Sequence, residues 1–212
     1  MRSWVSCDCE EHHAPKRVVL TGGPGAGKTA VLELIGHFFC HHVKVLPESA
    51  GIVFGGGFPR NKAPALQRAA QRAIFYVQRE LEATAADNNP AIVLCDRGTV
   101  DGMAYWPGPD DFLDDVGTTL DEQLVRYDVV IHLRTPRVSD YNVDNPLRLE
   151  TAAEAAAADD RIFVAWSRHP HRVVIEPTTD FLLKVSRTIE LLRAQMPTCC
   201  EHHVVSLPSP TP

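Results

Sequence analysis

Long hydrophobic runs are missing from this sequence. No apolar stretch approaches the roughly 20 residues of a membrane helix. The opening residues, Met1 to Glu10, lack the apolar core of a secretory signal. A soluble, cytoplasmic chain with no membrane partner is therefore the expectation. An excess of basic charge is missing too: 21 Lys and Arg stand against 27 Asp and Glu, for a net charge of −6. That balance argues against a nucleic-acid binder working through a broad basic surface, and leaves room for a local basic cleft. Paired C-x-x-C spacing is absent although there are six cysteines, and with it the usual mark of a structural zinc site. Cys40 and Cys95 sit in apolar segments and read as small buried hydrophobes. Cys7, Cys9, Cys199 and Cys200 lie near the two ends beside His12, His13, His202 and His203, and a third group holds His37, Cys40, His41 and His42. These groups read as zinc ligands, as a redox clasp between the ends, or as incidental thiols on flexible tails. The missing spacing and a reducing cytoplasm favour the tails.

What is present centres on one stretch. Val18-Val19-Leu20-Thr21 feeds Gly22-Gly23-Pro24-Gly25-Ala26-Gly27-Lys28-Thr29, which fits G-x-x-x-x-G-K-[ST]. Glycines clear the approach of phosphates to a row of backbone N–H groups, and the following helix adds its positive N-terminal end. Lys28 supplies a cation for the outer phosphates, and Thr29 a hydroxyl for Mg²⁺. The context agrees. A strand covers Arg17 to Thr21, and Val31, Leu34, Ile35 and Phe38 share one face of a helix after it.

The remaining chain alternates strand and helix. Strands are expected at Val43 to Leu46, Ala91 to Cys95, Asp128 to Leu133 and Arg172 to Ile175. Long or capped helices are expected over Pro64 to Ala85, Thr119 to Arg126, from Thr151, and from Thr179 or Asp180. Gly55 to Arg60 and the Pro/Gly-rich stretch through Trp106 to Pro109 read as loops. With 212 residues, this predicts one α/β domain. With the glycine-loop motif, the expected fold is a P-loop NTPase three-layer sandwich with a five-stranded parallel sheet and a helical lid insertion. The expected division is a flexible leader over 1–15, a kinase-like domain over 16–196 with its lid near 137–168, and a flexible tail over 197–212.

Ligands bind beyond the carboxyl ends of the strands in such a sheet. Those ends carry the glycine loop, Glu48, Asp96 with Arg97, Arg134 and Glu176. Asp96 ends an apolar strand and reads as the acid that orders Mg²⁺. Arg97 reads as a stabiliser of a transferring phosphoryl group, and Glu48 as a base or acceptor for a hydroxyl proton. Within the lid, Arg148 and Arg161 flank a capped helix and would close over the phosphates. Gly55 to Arg60, Tyr105 and Trp106 are placed to shape an acceptor pocket.

The glycine loop, Pro47-Glu48, Asp96-Arg97-Gly98 with Asp101 and Ala104-Tyr105, and Tyr141 with Asn145-Pro146 and Arg148 resemble the AAA-type ATP-binding domain shared with bacterial nicotinamide riboside kinase. More broadly they are similar to P-loop nucleoside and nucleotide kinases. The resemblance spans about Arg17 to Gln195. It implies a base at Glu48 and Mg²⁺ and phosphate roles for Asp96 and Arg97; the riboside-binding pattern is not recognisable. Motor ATPases place a Glu after the strand-end Asp to activate water, where this chain has Arg97. A guanine-reading Asn-Lys-x-Asp motif is absent after the fourth strand, which runs into His132-Leu133-Arg134-Thr135.

Together these point to an ATP- and Mg²⁺-dependent kinase for a small, nucleoside-like acceptor. Residues 22–30 and Arg161 would bind ATP, through Gly22, Gly23, Pro24, Gly25, Ala26, Gly27, Lys28, Thr29 and Ala30. Thr29 and Asp96 would hold the metal. Lys28, Glu48, Asp96, Arg97 and Arg148 would act on the reacting groups. The alternative is a nucleotide-binding regulatory or ATPase module acting through a partner. Oligomeric state is left open.

Overall fold

The alternating pattern folds as a doubly covered parallel sheet in a computed structural model that describes residues 5–85, 89–108, 111–136, 151–178 and 180–203. The strands are β1 (Lys16–Thr21), β2 (Val43–Leu46), β3 (Ile92–Asp96), β4 (Val129–Leu133) and β5 (Arg172–Ile175). Their order across the sheet is β2-β3-β1-β4-β5, with every neighbouring pair parallel. The helices are α1 (Lys28–Phe38), α2 (Ser49–Gly55), α3 (Pro64–Ala85), α4 (Gly102–Tyr105), α5 (Phe112–Asp115), α6 (Leu120–Leu124), α7 (Ala152–Ala165) and α8 (Phe181–Arg193).

The period of two along β1 separates the two faces of the core. Val18 and Leu20 point into one cluster with Val31 and Ile35 of α1 and Val185, Ile189 and Leu192 of α8. Val19, between them, points the other way. It joins Val93, Cys95 and Val130, with Ala85 of α3 and Ile162, Ala165 and Trp166 at α7. All five residues of β3 are buried, as its unbroken apolar run requires of a strand covered on both faces.

α3 and β5 take the bounds that the sequence pattern predicts. Both capping boxes form, Thr119 with Glu122 and Thr151 with Glu154. Asp180 caps α8 by accepting from the Leu183 N–H at 3.2 Å. Three segments differ from expectation. Residues 49–55, where the sequence pattern predicts no helix, form α2. Seven residues ending in glycine are too few to show a helical period. The Pro/Gly-rich stretch after β3 carries a 3₁₀ turn (Thr99–Asp101) and α4. α7, expected within the lid, puts Ile162 and Ala165 into the core beneath it. Residues 137–150 of that expected lid, with Arg148, Tyr141, Asn145 and Pro146, lie outside the described residues.

The ends also differ from flexible tails where they are described. Val5, Cys7 and Cys9 pack on the α1/α8 side of the core. The His13 N–H donates to Asn89 Oδ1 at 2.8 Å, and Asn89 Nδ2 returns a bond to Glu11 O at 2.8 Å. At the other end Cys200 is fully buried, and the Cys40 N–H donates to His203 O at 3.2 Å. Thiols and neutral imidazoles are small enough and apolar enough to be buried this way.

Candidate active site

The loop between β1 and α1 takes its shape from two glycines. Gly22 has φ +139°, and a Cβ there would stand 2.0 Å from Leu133 O. Gly27, the N-cap of α1, sits at φ +89°, in the left-handed region. Lys28 opens α1 and is nearly buried. Its Nζ turns back on the loop, donating to Gly22 O at 2.8 Å and Gly23 O at 3.1 Å. Burial, then the Arg97 charge, lowers its pKa to about 8, with Asp96, Glu48 and Asp101 opposing. Thr29 and Ala30 follow on the exposed first turn of α1.

Two side chains from distant helices brace this loop. Asp159 of α7 accepts from the Gly23 N–H and from His132 Nε2, each at 2.8 Å, through Oδ1. Its Oδ2 accepts from the Thr135 N–H at 3.1 Å and faces Arg134 at 3.1 Å. Burial opposes the Asp159 charge, but the His132 bond and the two backbone N–H groups prevail and hold its pKa below the ordinary value. From the other side Lys184 Nζ of α8 donates to Ala26 O at 3.0 Å.

The parallel pairing of β1 with β3 sets the acidic side of the site beside the loop. Leu20 is in register with Asp96, and the Arg97 N–H donates to Leu20 O at 3.1 Å. Asp96 is buried, and its Oδ1 has no hydrogen-bond partner among the described residues. Burial raises its pKa to about 6 against the pull of Lys28. Arg97 holds φ +68°, a left-handed conformation that a non-glycine residue keeps only when its surroundings enforce it. Those surroundings are acidic. Arg97 Nε donates to Glu48 Oε1 at 2.7 Å and Nη1 to Asp101 Oδ1 at 3.3 Å. The guanidinium carbon also lies 5.5 Å from the Tyr105 ring centroid. Burial works against the Arg97 charge; Tyr105, Asp101 and Glu48 more than restore it. Glu48, at the N-cap position of α2, would be raised by burial, but Arg97 lowers its pKa below the usual range.

Asp101 anchors this arrangement. Its Oδ1 also accepts from Thr21 Oγ1 at 2.5 Å, and its Oδ2 accepts from the Gly98 N–H and Trp166 Nε1, both at 3.0 Å. The sequence marks Asp101 only through the family resemblance, which gives it no role. Asp159 is hidden on an alanine-rich helix, and Lys184 within the apolar stripe of α8, so neither stands out as a site residue.

Other expected residues do not converge on the loop. Arg161 Nε donates to Ala104 O at 2.7 Å and so ties α7 to α4. Arg134 pairs with Asp160 at 2.7 Å and with Asp159 at 3.1 Å, and so reaches the loop only through the Asp159 carboxylate. Glu176 is exposed. Trp106 packs on Phe112, ring centroids 5.3 Å apart, and the Arg68 guanidinium carbon lies 5.3 Å from the Trp106 ring centroid. A cleft of about 390 Å³ between α4 and α7, lined by Met103, Ala104, Asp160, Arg161, Val164 and Ala165, includes no residue of the glycine loop. The Asp96 carboxylate oxygen without a partner among the described residues is a hard-oxygen donor of the kind that suits Mg²⁺. That ion characteristically takes one or two protein oxygens and completes its shell with phosphate and water.

A sequence profile of the AAA domain family matches residues 17–182. Among curated proteins no relative matches. Similar solved structures include thymidylate kinase from Candida albicans, with a TM-score of 0.58 and 12% identity over 91% of this chain and 96% of that one. Thymidylate kinase from Ehrlichia chaffeensis is also similar, with a TM-score of 0.53 and 18% identity over 84% and 98%. The fold is thus one shared with these thymidylate kinases.

Proposed function

The chain belongs to the AAA domain family, and from that premise we propose that it is an ATP- and Mg²⁺-dependent phosphotransferase acting on a small, nucleoside-like acceptor. Backbone N–H groups of Gly25, Gly27, Lys28 and Thr29 cradle the β- and γ-phosphates at the α1 N-terminus. Lys28 leaves Gly22 O and Gly23 O for the phosphate oxygens; with a pKa of about 8 it is still mostly protonated at neutral pH. Asp96 and Thr29 would hold Mg²⁺, which bridges phosphate oxygens and offsets their charge. Arg97 stands where a motor ATPase has its water-activating Glu, so the site supports transfer to an acceptor over hydrolysis. Glu48, ionised by Arg97, is placed to accept a hydrogen bond from the acceptor hydroxyl.

The observation that carries this reading is the Glu48–Arg97–Asp101 chain of ion pairs, set beside the buried carboxylate of Asp96 at the mouth of the loop. It fixes one cation and leaves one unpartnered carboxylate oxygen next to a phosphate cradle, as phosphoryl transfer needs. Calorimetric titration with Mg²⁺ and ATP tests the nucleotide half. Saturable binding that is lost in Lys28→Ala supports the reading, and equal binding by that variant contradicts it. GTP as a competitor separates the two nucleotides.

A further inference from the structure

We propose that the two ends of the chain are clamped by a structural zinc ion held by the thiolates of Cys7, Cys40 and Cys200 and the imidazole of His42. The six cysteines are all free thiols, yet five of them gather at one corner with His13, His41, His42 and His203. Cys7, Cys40 and Cys200 have their sulfurs within 4.8 Å of one another. His42 Nδ1 faces all three, at 3.5 Å from Cys7 Sγ, 3.5 Å from Cys200 Sγ and 3.8 Å from Cys40 Sγ. The Cys7 and Cys200 sulfurs are 4.0 Å apart. A tetrahedral zinc with Zn–S near 2.3 Å and Zn–N near 2.1 Å has edges of about 3.8 Å between sulfurs and about 3.6 Å between sulfur and nitrogen. The four atoms therefore already stand close to the corners of such a tetrahedron. Three soft thiolates with one imidazole select zinc over the hard cations that suit Asp96.

The surroundings agree. Cys40, His42 and Cys200 are buried. His203 Nδ1 lies 3.0 Å from Cys7 Sγ, placed to donate a hydrogen bond to that thiolate. The cluster sits where α1 ends and β2 begins, whereas the glycine loop lies where α1 starts. The 11 residues of α1 set the two about 16 Å apart, so the ion is structural and takes no part at the phosphate site. It joins the segment before β1, the α1–β2 connection and the segment after α8, three places far apart in sequence. Cys9, His13 and Cys199 form a neighbouring group that shares Cys200, so a second ion bridged by that thiolate is compatible with the first.

Elemental analysis of the full chain purified under reducing conditions is the test. At least one zinc per chain is expected. X-ray absorption at the zinc edge should show a mixed shell of three sulfurs near 2.3 Å and one nitrogen near 2.1 Å. Cys7→Ser and Cys40→Ser should each lose at least one equivalent, whereas Cys199→Ser, an exposed thiol outside the tetrad, keeps at least one. Removing the metal from the wild-type chain with a chelator should lower Tm by roughly 5 °C or more, restored by zinc, which needs no variant to fold. Less than about 0.1 zinc per chain after incubation of the reduced protein with zinc would overturn the proposal. A shell of oxygen and nitrogen alone, a Cys7–Cys200 disulfide in the intact mass, or zinc lost in Cys199→Ser but kept in Cys7→Ser would overturn it equally.

Discussion

Arg97 Nε donates to Glu48 Oε1 across 2.7 Å, closing the end of β3 onto the start of α2. This contact holds the Glu48 carboxylate in place near the glycine loop and keeps its pKa low. Glu48→Gln removes that charge while keeping the shape. Phosphate transfer should fall by about 100-fold, the lower range for a lost acid–base group. The apparent affinity for Mg²⁺ and ATP should change less than about threefold, because the phosphates are held by the loop. Steady-state kinetics of both parameters checks this; an unchanged kcat would remove Glu48 from the reaction.

Asp101 positions Arg97. It is almost fully buried and holds Thr21, Arg97, the Gly98 N–H and Trp166. Asp101→Asn leaves a buried cation short of one partner, at a cost of about 3 kcal/mol. For a chain of this size that lowers Tm by roughly 6–12 °C. Differential scanning calorimetry measures the loss. At a temperature where the variant is folded, kcat should still fall by roughly tenfold as Arg97 loses its alignment.

Asp96 and Lys28 set opposite limbs of a pH profile. The Asp96 pKa is raised to about 6 and that of Lys28 lowered to about 8. Metal binding needs Asp96 ionised, so affinity for Mg²⁺ with ATP rises as pH increases through about 6. Phosphate binding needs Lys28 protonated, so affinity falls above about 8. The free protein's stability runs the other way. The folded state keeps the Asp96 proton longer than the unfolded chain does, so that contribution is present below 3.8 and lost as pH rises through about 6. It releases the Lys28 proton sooner, so stability increases from about 8 to 10.5. Calorimetric Kd values across pH 5–9 should trace a bell in affinity. Asp96→Asn should flatten the acid limb and Lys28→Arg should extend the alkaline one.

Asp159 links loop geometry to acid stability. Burial works against its charge, and His132 with the Gly23 and Thr135 N–H groups overcomes that, so the folded pKa lies below the ordinary 3.8. Its contribution is therefore present above 3.8 and is lost as pH falls through the lower folded value. Tm of the wild-type chain should drop on that descent. In Asp159→Asn the drop should be shallower, and nucleotide affinity at neutral pH should weaken by roughly tenfold because the Gly23 N–H loses a charged acceptor.

The elements with a clear period or cap were the legible ones. The apolar runs of β1, β3 and β4, the long stripe of α3 and the capping boxes at Thr119 and Thr151 all rest on local spacing, and local spacing survives into the fold. α2 did not show because seven residues and a terminal glycine carry no period. Within the site, Glu48, Asp96 and Arg97 could be named from their places at strand ends, since a parallel sheet brings those ends together. Asp101 entered only through the family resemblance, without a role, and Asp159 and Lys184 could not be named. Each acts through the fold, on Arg97, on the Gly23 N–H and on Ala26 O, and neither charge nor position along the chain distinguishes it from a surface residue. Arg161 shows the converse: a cation placed by sequence over the phosphates is used instead to bind the Ala104 carbonyl. The thiols at the two ends were obscure for the same reason, since their partners are brought near by the sheet and not by spacing.

The most direct measurement is ADP release from ATP and Mg²⁺ across a panel of nucleosides and cofactor precursors, each against an acceptor-free control. A phosphotransferase built on Lys28, Asp96 and Arg97 releases ADP in proportion to one class of acceptor, yields the phosphorylated product in equal amount, and loses both in Lys28→Ala. ADP release at the same rate with and without every acceptor, or phosphate transfer undiminished in Lys28→Ala, would contradict it.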